Sequence, residues 1–240
     1  MSIKLDRMLQ NLQKIQDMHL LIAQQDLTDT VRQLQAWQTN RLLTTHDDLW
    51  NSKRFRPAME FFANEIYGPK DFSGRDVELT RATPKMVKIL PKKGLKLLET
   101  ALRLNRLSLE LDLALAQELD GAVINRDSYF ECYRQSGLLV QREEQIKLLE
   151  ILSLSLPKAV KTPGISTILS LTRKPAKVAG VELLHTFLES GFSSFKKIGD
   201  ANDFIDSIMV KEREMMNSLF LSNDQSENPL PKVNLDIIRI

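Results

Sequence analysis

Residues 95–119 read LKLLETALRLNRLSLELDLALAQEL. No glycine or proline interrupts the run, and its leucines and alanines recur at helical spacing, with charged residues gathered to one flank. That pattern is a long amphipathic helix. Measured from Pro91 to Leu119, at about 1.5 Å per residue, it spans roughly 43 Å. A helix of that length is a central element around which the remainder must pack. Gly121 closes it.

The polar residues of this helix fall into two groups. At 100° per residue Glu99, Arg103, Arg106, Glu110 and Gln117 lie within about 60° of one another and form a solvent stripe, with favourable i,i+4 pairs. Asn105, Ser108 and Asp112 form a second group in the middle of the Leu/Ala arc. A carboxylate on a buried face must find a partner or a proton. One reading makes Asp112 part of an internal pocket in which Asn105 and Ser108 orient a ligand or water. The other ties Asp112 to an arginine of a neighbouring helix.

Outward from the centre, helical spacing continues in both directions. Leu5, Met8, Leu12, Ile15, His19 and Ile22 repeat at intervals of three and four, a seam for a neighbouring helix. Asp26 and Thr28 are candidate caps for a second helix with Leu27, Val31, Leu34 and Trp37. Arg56–Tyr67 is helical, with Pro57 at an early position. Thr83-Pro84 and Pro91 mark restarts, and Pro157, Pro163 and Pro175 divide the region after 138 into shorter pieces. Val178–Ile198 and Phe204–Phe220 complete the set. The fold class is therefore all-α: one multi-helix bundle with a long central helix and several proline-broken short helices. Residues 1–46 form an N-terminal helical hairpin packed on the bundle, 47–221 the bundle core, and 222–240 a flexible tail or docking arm.

Totals agree with a folded chain. Of 240 residues 42% are hydrophobic and 27% charged, and the net charge is only +2, so no polyanionic partner follows from overall charge. A single cysteine, Cys132, excludes an internal disulfide and suits a reducing compartment. No run of about 20 apolar residues provides a membrane span. A cytoplasmic location is the expectation.

Between residues 61 and 76 the chain reads FFANEIYGPKDFSGRD. Phe61 and Phe62 are core anchors, Gly68-Pro69 stops a helix, and Ser73 with Asp76 has capping-box spacing for the next. Tyr67, Asp71 and Arg75 remain: three polar-tipped side chains at one turn, forming either a hydrogen-bonded clip or the rim of a binding site. The run YGPKDFS-x-RD, followed by MVKILP, resembles a family of uncharacterised bacterial proteins with an FFLxDLYGPxDFSxRD-type signature. The likeness extends through LSLELDLALAQEL and LTRKPAKVAGVELLHTFLESGF, over roughly residues 50 to 220. Asn64-Glu65-Ile66 stands where that pattern places an acid before Leu. The resemblance implies no activity and carries over no functional residue.

Catalytic motifs are missing from the sequence, and no cofactor or metal is expected. Glu182-Leu-Leu-His185 has one copy of a spacing that di-metal bundles use twice, so a surface ion pair is the expected role. Between residues 81 and 106 eight cations face one acid, Glu99. Lys85, Lys88, Lys92 and Lys96 would share a face if the helix ran through Pro91, a candidate basic surface for phosphate or an acidic protein. Residues 73–128 contain no aromatic side chain for base stacking. The expected function is an adaptor or regulator that binds another protein or itself. The alternatives are a small-molecule-binding or enzymatic bundle with a pocket near Asp112 and, more weakly, nucleic-acid binding through residues 81–106.

Overall fold

The computed structural model describes residues 3–66, 68, 73–89, 92–198, 202–222 and 224–233. The described residues form α1 (Ile3–Gln24), α2 (Thr28–Thr45), α3 (Asp47–Trp50), α4 (Arg56–Phe61), α5 (Ser73–Ile89), α6 (Lys92–Leu119), α7 (Arg126–Gln135), α8 (Leu139–Val160), α9 (Ile165–Val178), α10 (Glu182–Ile198) and α11 (Asn202–Leu221). A π-helical turn, Phe62–Ile66, continues α4. No strand occurs among the described residues. The protein is all-α, with one large apolar cluster and two smaller ones in which α1 packs on α6.

The long helix is the axis. Leu102, Leu104, Leu107, Leu111, Leu115 and Leu119 of α6 are all buried. Its outer stripe is charged as expected, but the pairings reach across helices. Arg106 holds Glu110 at 3.1 Å within α6, whereas Glu99 pairs with Arg7 of α1 at 3.1 Å and Arg103 with Glu144 of α8. The seam of α1 is consumed inside the fold: Met8, Leu12, Ile15 and Ile22 are each 5% exposed or less. They pack on α6 and α5, while α1 touches α2 only slightly. The two N-terminal helices thus join the bundle separately through α6.

Prolines act differently at different positions. Pro163 lies between α8 and α9, but Pro84 sits inside α5, Pro157 inside α8 and Pro175 inside α9. The last two fall in the final turn of their helices, so each loses the bond to the carbonyl four residues back, but only three helical residues follow it. Capping also differs from expectation. The residue preceding α2 is Leu27, which makes no side-chain cap, and Asp26 takes a left-handed φ of 57°.

Phe61 and Phe62 anchor a group of rings. Both meet Phe195 of α10 edge-on, at 6.1 and 5.9 Å between centroids, and Phe62 stacks on Phe204 of α11. Such pairs add about 0.5–1.5 kcal/mol each beyond burial. Gly191 lets α10 approach: a Cβ there would lie 2.9 Å from Phe61 Cζ. At the other end, residues 224–233 lie against α7. Arg126 donates to the carbonyls of Leu230 (2.8 Å) and Asn228 (2.6 Å), and Leu230 is buried in the core.

Candidate functional site

The polar interior centres on four helices. Asn125 caps α7 by accepting from the backbone N–H of Asp127 (2.8 Å) and Ser128 (3.0 Å), while Ser128 Oγ accepts from Asn125 N–H. This reciprocal cap fixes the start of α7. It places Tyr129 and Tyr133, one turn apart, on the buried face, where Tyr129 stacks on Trp37 of α2 at 4.3 Å. Arg41 of α2 reaches Glu212 of α11, with Nη1 2.7 Å from Oε2, and His46 Nε2 lies 3.0 Å from Oε1. Burial alone would raise the Glu212 pKa, but the Arg41 guanidinium and the His46 contact hold it down at about 2. Burial opposes charge on Arg41 as well, and Glu212 outweighs it and raises the Arg41 pKa.

Arg142 of α8 is the second interior cation, 5% exposed. Its guanidinium lies 4.7 Å from the centre of the Tyr133 ring, and Nη1 donates to Gln145 Oε1 at 3.1 Å. Gln145 in turn donates to Ser108 of α6 at 2.9 Å. Between these groups is a cavity of about 70 Å³. Its lining includes the polar Gln38, Arg41, Arg142, Gln145 and Glu212 and the apolar Leu149, Met209, Met215 and Leu230. That volume admits several waters or one small molecule. Arg41 Nε and Arg142 Nε and Nη2 are buried and have no hydrogen-bond partner among the described residues. Burial raises the pKa of both tyrosines, so their hydroxyls are protonated.

Asp112 lies beside this site. Its two oxygens accept from Gln35 (3.0 Å) and Gln38 (3.1 Å) of α2, and burial raises its pKa against those bonds and the field of Arg142. The three polar residues of the α6 arc point to three different neighbours. Ser108 accepts from Gln145, Asp112 from the α2 glutamines, and Asn105 donates to Asp76 of α5 at 3.1 Å. Asp76, 2% exposed, also meets His19 of α1 at 3.2 Å, so an acid at capping-box spacing instead ties three helices together. Gln38 and Gln145 link Asp112 and Ser108 to the cavity, whereas Asn105 belongs to the separate Asp76 cluster.

Arg75 turns inward, donating to the carbonyl of Glu65 at 2.9 Å, with its guanidinium 4.4 Å from the centre of the Phe187 ring. Burial lowers its pKa. Tyr67 and Asp71 lie outside the described residues. Lys85 and Lys88 on α5, and Lys92 and Lys96 on α6, are exposed. His185 is buried, not on the surface: its Nε2 lies 2.9 Å from the Leu169 carbonyl and 3.1 Å from Thr172 Oγ1, and Glu182 pairs with Lys177 instead. Cys132 is a buried thiol whose pKa is raised by burial and by Glu118 and Glu131.

The residues that build the cavity were absent from the sequence-based candidates, yet they leave a trace. Arg142 stands in apolar register with Ile146 and Leu149, and Glu212 in register with Ile208 and Met216. A charge in the place of a core residue, one in each of two helices, marks helices that meet through polar groups.

One further surface stands out. On α9, Ile168, Leu171 and Val178 are 55%, 71% and 90% exposed, and with Pro175 they occupy an arc of about 80°. The helix packs through Ile165, Leu169 and Ala176 instead, chiefly on α10. Among the described residues no helix is long and apolar enough to cross a membrane.

A family model described as a domain of unknown function, DUF8198, matches residues 17–226. That span takes in α2 to α11 and every residue of the cavity wall except Leu230. No curated protein and no solved structure matches the chain.

Proposed function

We propose that this chain, which belongs to the DUF8198 family, is a small-molecule-binding helical domain whose ligand occupies the cavity between α2, α7, α8 and α11. One observation carries the reading. Polar side chains from three helices, Gln38, Arg41, Arg142, Gln145 and Glu212, converge on one volume of about 70 Å³. None of the described lining residues is Ser, Cys, Lys or His, and the acid among them is held by Arg41. The site is therefore one of binding, suited to a regulator that reports a small molecule. A screen of small polar compounds by ligand-observed NMR tests this, with wild type compared to Met215→Phe, which fills the cavity. Compounds bound by wild type and lost in the variant are expected. Their complete absence would sink the reading.

A second reading, an adaptor acting by protein–protein contact, is favoured by the α9 stripe. The seam of α1 adds nothing to it, because that seam is buried within the chain. On α9 the apolar arc extends beyond the residues that pack, taking in the exposed Ile168, Leu171 and Val178. It borders Lys174 and Lys177 in a stretch, residues 151–181, that has five cations and no acid. An acidic, apolar partner fits such a face. Leu171→Ser with Val178→Ser is expected to abolish association in solution while changing stability by under about 0.5 kcal/mol. Equal sedimentation of wild type and variant in cell extract would remove this reading.

A further inference from the structure

Two surface features meet at one point of the fold. The first is the exposed apolar arc of α9, Ile168, Leu171, Pro175 and Val178, which runs along about 15 Å of helix. Of the fourteen residues of α9 only Ala176 is buried, so the helix stands out from the bundle. The second is a row of exposed cations on α5: Arg81, Lys85 and Lys88 follow at intervals of four and three and share one face. Arg81 reaches the turn that ends α9, where its Nη1 lies 3.9 Å from the place a Cβ of Gly180 would take. The α5 row therefore begins where the α9 arc ends.

Charge around both features is one-sided. Residues 151–181 hold five cations and no acid, and residues 81–106 hold eight cations and one acid. Arg173 and Lys177 pair with Glu189 and Glu182 of α10, whereas Lys158, Lys161 and Lys174 are exposed and make no ion pair among the described residues. A second copy of the chain seated α9 against α9 would set cations against cations. Nucleic acid would use the cations but not the bare leucine, isoleucine and valine, and neither basic segment has an aromatic side chain for stacking. A single acidic helix laid on α9 would leave the α5 row unmatched. A surface that is anionic over its whole extent and apolar just beneath satisfies both features, and an anionic lipid bilayer is such a surface. We propose that α9 lies in the interfacial layer of an anionic bilayer, with Ile168, Leu171 and Val178 at the acyl boundary and Lys174 and the α5 cations against the headgroups. The association is peripheral. It is independent of the ligand-binding reading, and it gives the α9 face a lipid where the second reading gives it a protein.

Co-sedimentation of the full chain with sucrose-loaded vesicles tests the inference, with phosphatidylcholine alone compared to phosphatidylcholine mixed with phosphatidylserine. Binding to the anionic vesicles is expected to exceed binding to phosphatidylcholine at least about tenfold, and to fall as salt rises from about 0.1 M to about 0.5 M. Leu171→Ser with Val178→Ser removes the outer apolar side chains and is expected to weaken binding about tenfold. Lys174→Gln with Arg81→Gln takes one cation from each element and is expected to weaken it by a similar factor. Val123→Ser, at a valine 80% exposed between α6 and α7, is the control and should bind as wild type does. Equal binding to the two kinds of vesicle would overturn the proposal, as would unchanged binding in either double variant or an equal loss in Val123→Ser. Should one double variant fail to fold, the other decides. Capture of an acidic protein by wild type and not by Leu171→Ser with Val178→Ser, without any vesicle binding, would overturn the lipid and leave the second reading standing.

Discussion

Glu212 is where the residue scale is most informative. Its ordinary pKa of 4.5 falls to about 2 in the fold. A depressed carboxylate stabilises the folded state fully above its ordinary value, and that contribution disappears as pH falls from about 4.5 to about 2. The difference is worth on the order of 3 kcal/mol at about 1.4 kcal/mol per pH unit. Asp112, whose pKa burial raises, contributes a slope of opposite sign. Glu212→Gln leaves Arg41 buried without its carboxylate and is expected to cost about 3 kcal/mol at neutral pH. It should also flatten the acid limb, as read by urea unfolding at pH 7 and pH 3. Parallel pH dependence in wild type and variant would contradict this. At this scale the sequence was least legible. Asp112 announced itself as a charge in a leucine arc, but its partners, Gln35 and Gln38, lie 77 and 74 residues away. Nothing local foretells which glutamine among many turns inward.

Elements were far more legible, because helical periodicity is a local property. The α6 helix, expected to end at Leu119, does so. Misreadings came from prolines, taken as breaks where several fall inside a helix. An apolar seam says that a helix packs on something without saying on what. In α1 the partner is the chain's own α6 and α5. In α9 the same kind of excess remains uncovered, and only the fold tells the two apart. Close approach is equally invisible in one dimension. Gly191 reads as an ordinary helical residue until Phe61, 130 positions earlier, is placed against it.

At the scale of the whole molecule, the segment 224–233 completes the cavity. Leu230 forms part of its wall and is held there by Arg126, whose bonds to Asn228 and Leu230 cross the gap from α7. Arg126→Ala removes both charged donors. It is expected to cost about 1.5–3 kcal/mol and to increase hydrogen exchange at Leu230 while leaving α1 and α5 unchanged. Uniform protection across the chain would show that the segment does not depend on this clamp. The overall class and the central axis were readable from pattern alone. The closure was not, since it depends on one arginine meeting two backbone carbonyls.

The Arg41–Glu212 pair joins positions 171 residues apart. A ribosome adds roughly 5–20 residues per second, so the arginine emerges on the order of ten to thirty seconds before its carboxylate is made. Throughout that interval the nascent bundle holds a cation it cannot yet bury. The helices around Arg41 must therefore stay hydrated, and α2 can lock against α11 only late in synthesis.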